Sequence, residues 1–178
     1  MPTLSIAFLS GNNSDKKKEK KMSDPCCSYQ ADNSNSNGEK ICPQDATKGK
    51  TISLITLKSL LKPKALEQLN PNANYRFCNS YNCSVVYFSA EGQVFTTSDL
   101  KVPVFQKNSA ETVPVCYCFG WTRQAIREEI ENSGESSAVA SIMAHVKAKR
   151  CGCEVNNPQG SCCLSNIQSL VNQSRSKS

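Results

Sequence analysis

Eleven cysteines are spread over this 178-residue chain, and six of them fall between Cys116 and Cys163. That stretch opens on Cys116-Tyr117-Cys118, runs through 32 further residues, and closes on Cys151-Gly152-Cys153 and the vicinal pair Cys162-Cys163. It holds no Asp-rich loop, no glycine-rich phosphate cradle and one histidine, His145. The chemistry on offer is therefore sulfur chemistry: disulfides, zinc or an iron-sulfur cluster. Pairing within one chain cannot use up an odd number of cysteines, and adjacent cysteines such as Cys26-Cys27 and Cys162-Cys163 seldom bridge each other. Clustered thiols in a cytosolic chain more often bind metal.

A Cys-x-Cys pair places two sulfurs close together with the neighbouring amides free to hydrogen-bond to bridging sulfide, whereas zinc knuckles usually put two to four residues between ligands. A diiron rhombus takes two thiolates per iron. On this reading Cys116 and Cys118 serve one iron, and Cys153 with either Cys162 or Cys163 serves the other. Zinc at the same thiols is the alternative. The loop Asn156 to Gly160 turns the chain back, and the last cysteine then stands at a helix amino end, where amide dipoles favour a thiolate.

A second constellation lies upstream. Cys78 and Cys83 are separated by four residues at an expected strand turn and can present both sulfurs to one ion. Cys42 and Asp45 would complete a tetrahedron of three sulfurs and one oxygen, the plan of a zinc ribbon. The competing readings are ordinary buried thiols, and a solvated turn residue at Asp45. Cys26 and Cys27 read as bystanders, or else as a soft-metal capture site suited to Cu(I). His145 is expected at the surface, and Trp121 is expected to shield the thiols or fill a small core.

The elements that must position these residues follow from pattern and punctuation. Residues 1–40 are rich in Asn, Ser, Asp and Lys and cannot bury enough apolar surface to offset their ordering entropy, so a disordered tail is expected there, with another over 173–178. Met22, after the lysine run, would also serve as a start of translation. Residues 41–108 read as a zinc-ribbon-like β domain. It has a short helix capped by Thr56 and interrupted at Pro63, strands around Tyr75 to Phe77, Val85 to Phe88 and Val94 to Thr96, and a last extended piece from Leu100 to Gln106. A polar linker, Lys107 to Thr112, sets the boundary. Residues 113–172 read as a helical domain. Its first helix is capped by Thr122 and Gly134, its second starts at Ser137, and its third carries Leu164, Ile167, Leu170 and Val171 on one side. The fold class is α+β, a small zinc-ribbon-like β part followed by a three-helix iron-sulfur part.

Composition sets the outer limits. Hydrophobic residues are 38% and aromatic residues 7% of the chain, so each half owns a thin core of the kind that metal often staples. The net charge of +6 comes largely from Lys16 to Lys21, a run that reads as a solvated tail, and no lysine or arginine lies in the knuckle Asn79 to Asn82, so nucleic acid is not expected as a partner. No stretch approaches the roughly 18 apolar residues of a membrane span, and Leu4 to Leu9 is too short for a signal core and precedes its lysines. A cytoplasmic protein without membrane contact is expected. No residue set suggests catalysis.

Several motifs carry a resemblance. Cys42-Pro43, Leu54 to Leu61, Phe77-Cys78-x4-Cys83-Ser-Val-Val-Tyr-Phe, Val115-Cys-Tyr-Cys-Phe-Gly and Asn157-Pro-x-Gly-x-Cys-Cys resemble, in order from Ile41 to Val171, the amino-terminal domain of CopZ-type copper chaperones. The later half is also similar to bacterioferritin-associated ferredoxins. The resemblance implies zinc in the first half and a 2Fe-2S cluster in the second, with cluster ligands Cys116, Cys118, Cys153 and Cys163, or Cys162 in place of the last; Cys151 has no partner in that pattern. Asp45 stands where the family usually has cysteine. Full chaperones continue into a copper-binding domain with a Met-x-Cys-x-x-Cys loop, whereas this chain stops at Ser178, so copper delivery does not follow automatically. The expected function is a non-enzymatic electron-transfer or redox role in copper handling, with a copper carrier or redox protein as partner. A zinc-only structural or interaction module is the alternative.

Overall fold

The computed structural model describes residues 40–176. The expected tail, Met22, the lysine run and the Cys26-Cys27 pair lie outside them. A four-stranded antiparallel sheet in the order β1-β2-β3-β4 organises the first half, with β1 at Lys50–Thr51, β2 at Tyr75–Phe77, β3 at Val85–Ser89 and β4 at Val94–Thr96. Register is set by Thr51 opposite Arg76, Phe77 opposite Tyr87 and Tyr87 opposite Phe95. Every residue of β3 is buried, which explains why Val85 to Phe88 shows a continuous apolar run instead of alternation. Helices α1 (Leu54–Leu60) and α2 (Pro63–Leu66) connect β1 to β2. Leu57 and Leu61 pack with Tyr75, Phe77, Val86 and Phe95 in the main core.

The expected short helix, interrupted at Pro63, is present as α1 and α2, which supply part of the core. Thr56 does not cap α1, which begins two residues earlier with Ser53 at the cap position. Thr56 is instead buried inside the helix, where its hydroxyl donates to the Glu154 carbonyl at 2.6 Å. The segment expected to be extended from Leu100 to Gln106 is so at Leu100 and Val104. Leu100 makes one isolated bridge to Leu61, and a 3-10 turn takes over at Phe105–Lys107.

The second half opens with a hairpin that the sequence reading did not anticipate, β5 (Pro114–Cys116) paired with β6 (Trp121–Thr122). Helix α3 (Arg123–Ser133) follows at once. Its cap is the expected Thr122, whose hydroxyl accepts from the Ala125 amide at 3.1 Å, and it ends on Gly134 at φ 77°. A cap of this kind stabilises by about 1 kcal/mol. Helix α4 (Ala138–Lys147) starts after Ser137, but that side chain makes no cap bond; it donates to Glu129, whose carboxylate also accepts from the Ser137 amide. A four-residue turn, α5 (Cys153–Asn156), was also unforeseen. Helix α6 runs Leu164–Arg175, three residues into the segment expected to be a disordered tail. Ile126, Ile130, Ile142, Ile167 and Val171 form the core of this half, and Val115 and Cys116 of the hairpin are buried in it. Among the described residues, no helix is long and apolar enough to cross a membrane.

Candidate metal centres

Three structural pieces converge on the first centre. The loop after Ile41 is closed by the Cys42 amide donating to the Thr47 carbonyl at 2.8 Å and the Ala46 amide to the Cys42 carbonyl at 3.0 Å. Across from it, Cys78 follows β2 and Cys83 precedes β3. The three sulfurs and a carboxylate oxygen of Asp45 all lie within 4.8 Å of one another. All four expected residues are therefore brought together. Two sulfurs each about 2.3 Å from a tetrahedral zinc stand about 3.8 Å apart; Cys42 Sγ and Cys83 Sγ are 3.7 Å apart. Asp45 Oδ1 lies 3.8 Å from Cys78 Sγ. The donor set and its spacing fit zinc.

Burial pushes all three thiols up, while backbone amides of Gln44 and Asp45 at Cys42, of Ser80 at Cys78 and of Val85 at Cys83 pull the other way. Hydrogen bonding by the Ser80 hydroxyl, helped by the Thr47 amide and hydroxyl, holds Asp45 well below the usual carboxylate range. Lys107 donates from Nζ to the carbonyls of Ser80 at 2.8 Å and Cys83 at 3.0 Å, clamping the knuckle from outside. Sequence reasoning assigned Lys107 to a polar linker and missed this role, for which no local motif exists.

The second centre gathers five thiols. Cys116 ends β5, Cys118 lies in the hairpin turn, Cys153 opens α5, Cys162 follows the loop, and Cys163 stands at the cap position of α6 without a side-chain cap bond. Cys116, Cys153 and Cys163 are buried, and Cys118 and Cys162 are half-buried. Cys118 Sγ lies 3.9 Å from Cys153 Sγ, close to the separation at the first centre. Cys116 hydrogen-bonds with Cys163, and Cys162 with both Cys153 and Cys163. These pairs run across the two motifs, Cys118 with Cys153 and Cys116 with Cys163.

The thiol pKa values shift in opposite directions around the group. The thiol of Cys153 lowers Cys118 to about 6, with the Gly152 amide donating to its sulfur at 3.3 Å and Asn156 Nδ2 also bound to it. Cys163 lowers Cys116 in the same way, and Cys153 lowers Cys162. Cys153 and Cys163 are correspondingly raised, by sharing their protons with Cys118 and Cys116 first, then with Cys162. Two crossed thiol pairs with amide donors on their sulfurs form a donor set that fits a cluster of two irons.

The loop carrying Cys153 to Cys162 is held by the first half. Besides the Thr56 bond, the buried Tyr87 hydroxyl donates to the Pro158 carbonyl at 2.9 Å, and Lys50 Nζ donates to Ser161 Oγ at 2.7 Å. Gln159 is buried and donates to the Cys162 carbonyl at 2.9 Å. Gly160 sits at φ +62°, and a Cβ there would come within 2.9 Å of Ile52 Cγ1 and 3.1 Å of Thr56 Oγ1. Gly160→Ala combines left-handed backbone strain with a clash, and is expected to cost about 2 kcal/mol. Thermal unfolding should show a fall of roughly 4–8 °C; an unchanged midpoint would mean the loop is not fixed by this contact.

His145 is not a free surface residue. It stacks on Phe119 with ring centroids 4.0 Å apart and accepts a hydrogen bond at Nδ1 from Arg150 Nε at 3.0 Å. Trp121 packs at the margin of the second core. Cys151 is half-buried.

Comparison with known proteins gives a consistent picture. Residues 39–101 match the CopZ family model described as a zinc binding domain. The copper chaperone CopZ of Archaeoglobus fulgidus is 33% identical over 129 residues, which are 72% of this chain and 60% of that protein. The X-ray structure of the Archaeoglobus fulgidus CopZ N-terminal domain superposes with a TM-score of 0.63 at 32% identity, covering 73% of this chain and 96% of that one.

Proposed function

Because the chain belongs to the family of the CopZ amino-terminal domain, we propose that it binds one zinc at Cys42, Asp45, Cys78 and Cys83 and one 2Fe-2S cluster at Cys116, Cys118, Cys153 and Cys163, and passes single electrons in copper handling without being an enzyme. The observation that carries this is the presence of two separate thiol groups whose sulfur contacts, 3.7 Å in one and 3.9 Å in the other, suit thiolates sharing a metal. A 2Fe-2S cluster supplies one-electron exchange. The protein's part is to hold the sulfurs, direct amides at them and bury them. Cys116, Cys153 and Cys163 keep water from most of the site, and the Gly152 amide stabilises negative charge on Cys118. Copper handling comes from the relative named a copper chaperone, and a redox protein or copper carrier is the partner this role requires.

Reduction with dithionite should convert an oxidised, magnetically silent sample into one with a paramagnetic signal from a single added electron. Absence of that signal in a sample that retains iron would refute the cluster assignment.

Zinc binding gives a further expectation with a definite sign. The apo first centre at neutral pH carries three protonated thiols, raised by burial, and an ionised Asp45. Zinc takes thiolates, so about three protons should leave per ion and the apparent affinity should fall steeply as pH falls. Calorimetric titration in two buffers of different ionisation enthalpy measures the number; a value near zero would contradict the ligand set.

A further inference from the structure

We propose that electrons enter or leave at the Cys118 corner, beneath a cationic rim of Lys147, Lys149 and Arg150 that receives the acidic face of a protein redox partner. This rests on the cluster reading above and adds a surface to it. Cys116, Cys153 and Cys163 are buried while Cys118 is half-buried, so this corner brings the group toward solvent. Phe119 continues outward from Cys118 and stacks on His145, and Arg150 is tied to that ring through Nε. The Gly152 amide on Cys118 Sγ lies two residues beyond Arg150, which fixes the end of the basic segment against the same sulfur.

All three cations of the rim are exposed. Among the described residues the ion pairs are Arg127 with Glu111 and Glu131, and Arg175 with Glu135, so none of the three is neutralised. Helix-end electrostatics accounts for Lys147 in the last turn of α4. Lys149 and Arg150 lie past the helix end at Ala148, and Glu154, the acid that follows Cys153, leaves the segment net positive. Helix α3, by contrast, sets Glu128, Glu129 and Glu131 against Arg123 and Arg127, for a net charge of −1. A surface polarised in this way steers an acidic partner to the thiol corner and turns a basic one away.

The test uses the full-length, metal-loaded protein, reduced with dithionite and desalted. It is mixed with ferric cytochrome b5, an acidic haem protein, or with ferric cytochrome c, a basic one. Each transfer moves one electron from the reduced protein to the ferric haem, which becomes ferrous and is followed at its own visible band. Transfer to cytochrome b5 should slow as salt rises. The variant Lys147→Glu/Lys149→Glu/Arg150→Glu should slow it at least about tenfold at low salt and speed transfer to cytochrome c. Lys62→Glu/Lys64→Glu/Lys101→Glu, an equal change of net charge on exposed residues of the first half, should leave the cytochrome b5 rate within about twofold. Equal slowing by both variants, or none by the first, overturns the proposal. So would a rim variant that loses binding to duplex DNA while its cytochrome b5 rate is unchanged, since that assigns the surface to nucleic acid. Loss of the visible band before mixing identifies a failed cluster; Lys147→Gln/Lys149→Gln/Arg150→Gln then repeats the test with the charge removed only, and an unchanged rate in that variant also overturns the proposal. Starting protein with no visible band at all refutes the cluster reading and not the rim.

Discussion

Cys118→Ser is expected to yield a colourless protein with little iron and its full complement of zinc. Cys118 Sγ lies 3.9 Å from Cys153 Sγ and accepts the Gly152 amide, so no neighbouring thiol replaces its position in the hairpin turn. Serine oxygen is harder and far less acidic than a thiol, and iron-sulfur clusters are held by thiolates. The same loss is expected for Cys116→Ser and Cys153→Ser. Cys163→Ser should be milder, because Cys162 already hydrogen-bonds with Cys153 and Cys163 and stands at the start of the same helix. Cys151→Ser should keep both iron and colour. Iron analysis beside a visible spectrum reads all five variants, and full iron in Cys118→Ser would remove that residue from the ligand set.

Asp45→Ala is the second large effect. The carboxylate is held ionised by Ser80 and Thr47 and lies 3.8 Å from Cys78 Sγ, so alanine leaves three sulfurs and an open position. Outer-shell substitutions alone cost 10–100-fold in metal affinity, and loss of a direct ligand should exceed about 100-fold. Cys42, Cys78 and Cys83 are packed with Val85 and Phe88, so weaker zinc should also lower the unfolding temperature while the visible spectrum stays intact. Asp45→Cys should bind zinc at least as tightly as the parent. Absorption at the zinc edge separates the possibilities: three sulfurs with one light atom support Asp45, and four sulfurs in the parent protein would exclude it.

What was legible in the sequence was short-range. Phe77-Cys78 and Cys83-Ser84-Val85 announce a strand, a knuckle and a strand, and Thr122 and Gly134 mark both ends of α3 by their ordinary cap chemistry. The meeting of Cys42 and Asp45 with Cys78 and Cys83 was inferred from the ligand count a zinc ion requires, not from any pattern linking such distant segments. Three of the misses share one cause. Thr56, Tyr87 and Lys107 each look like an ordinary residue of a helix, strand or linker, yet each donates to a carbonyl far away in the chain, at Glu154, Pro158, and Ser80 with Cys83. Such bonds leave no periodicity behind. The crossed thiol pairing was hidden for the same reason, since it depends on where α5 and the loop before Cys163 dock.

The central claim is one zinc and one 2Fe-2S cluster on the same chain, and elemental analysis with a visible spectrum on anaerobically purified protein tests it most directly. The account predicts about two irons and one zinc per chain, with visible absorption that bleaches on dithionite reduction. A colourless protein with about two zinc ions and no iron would contradict it.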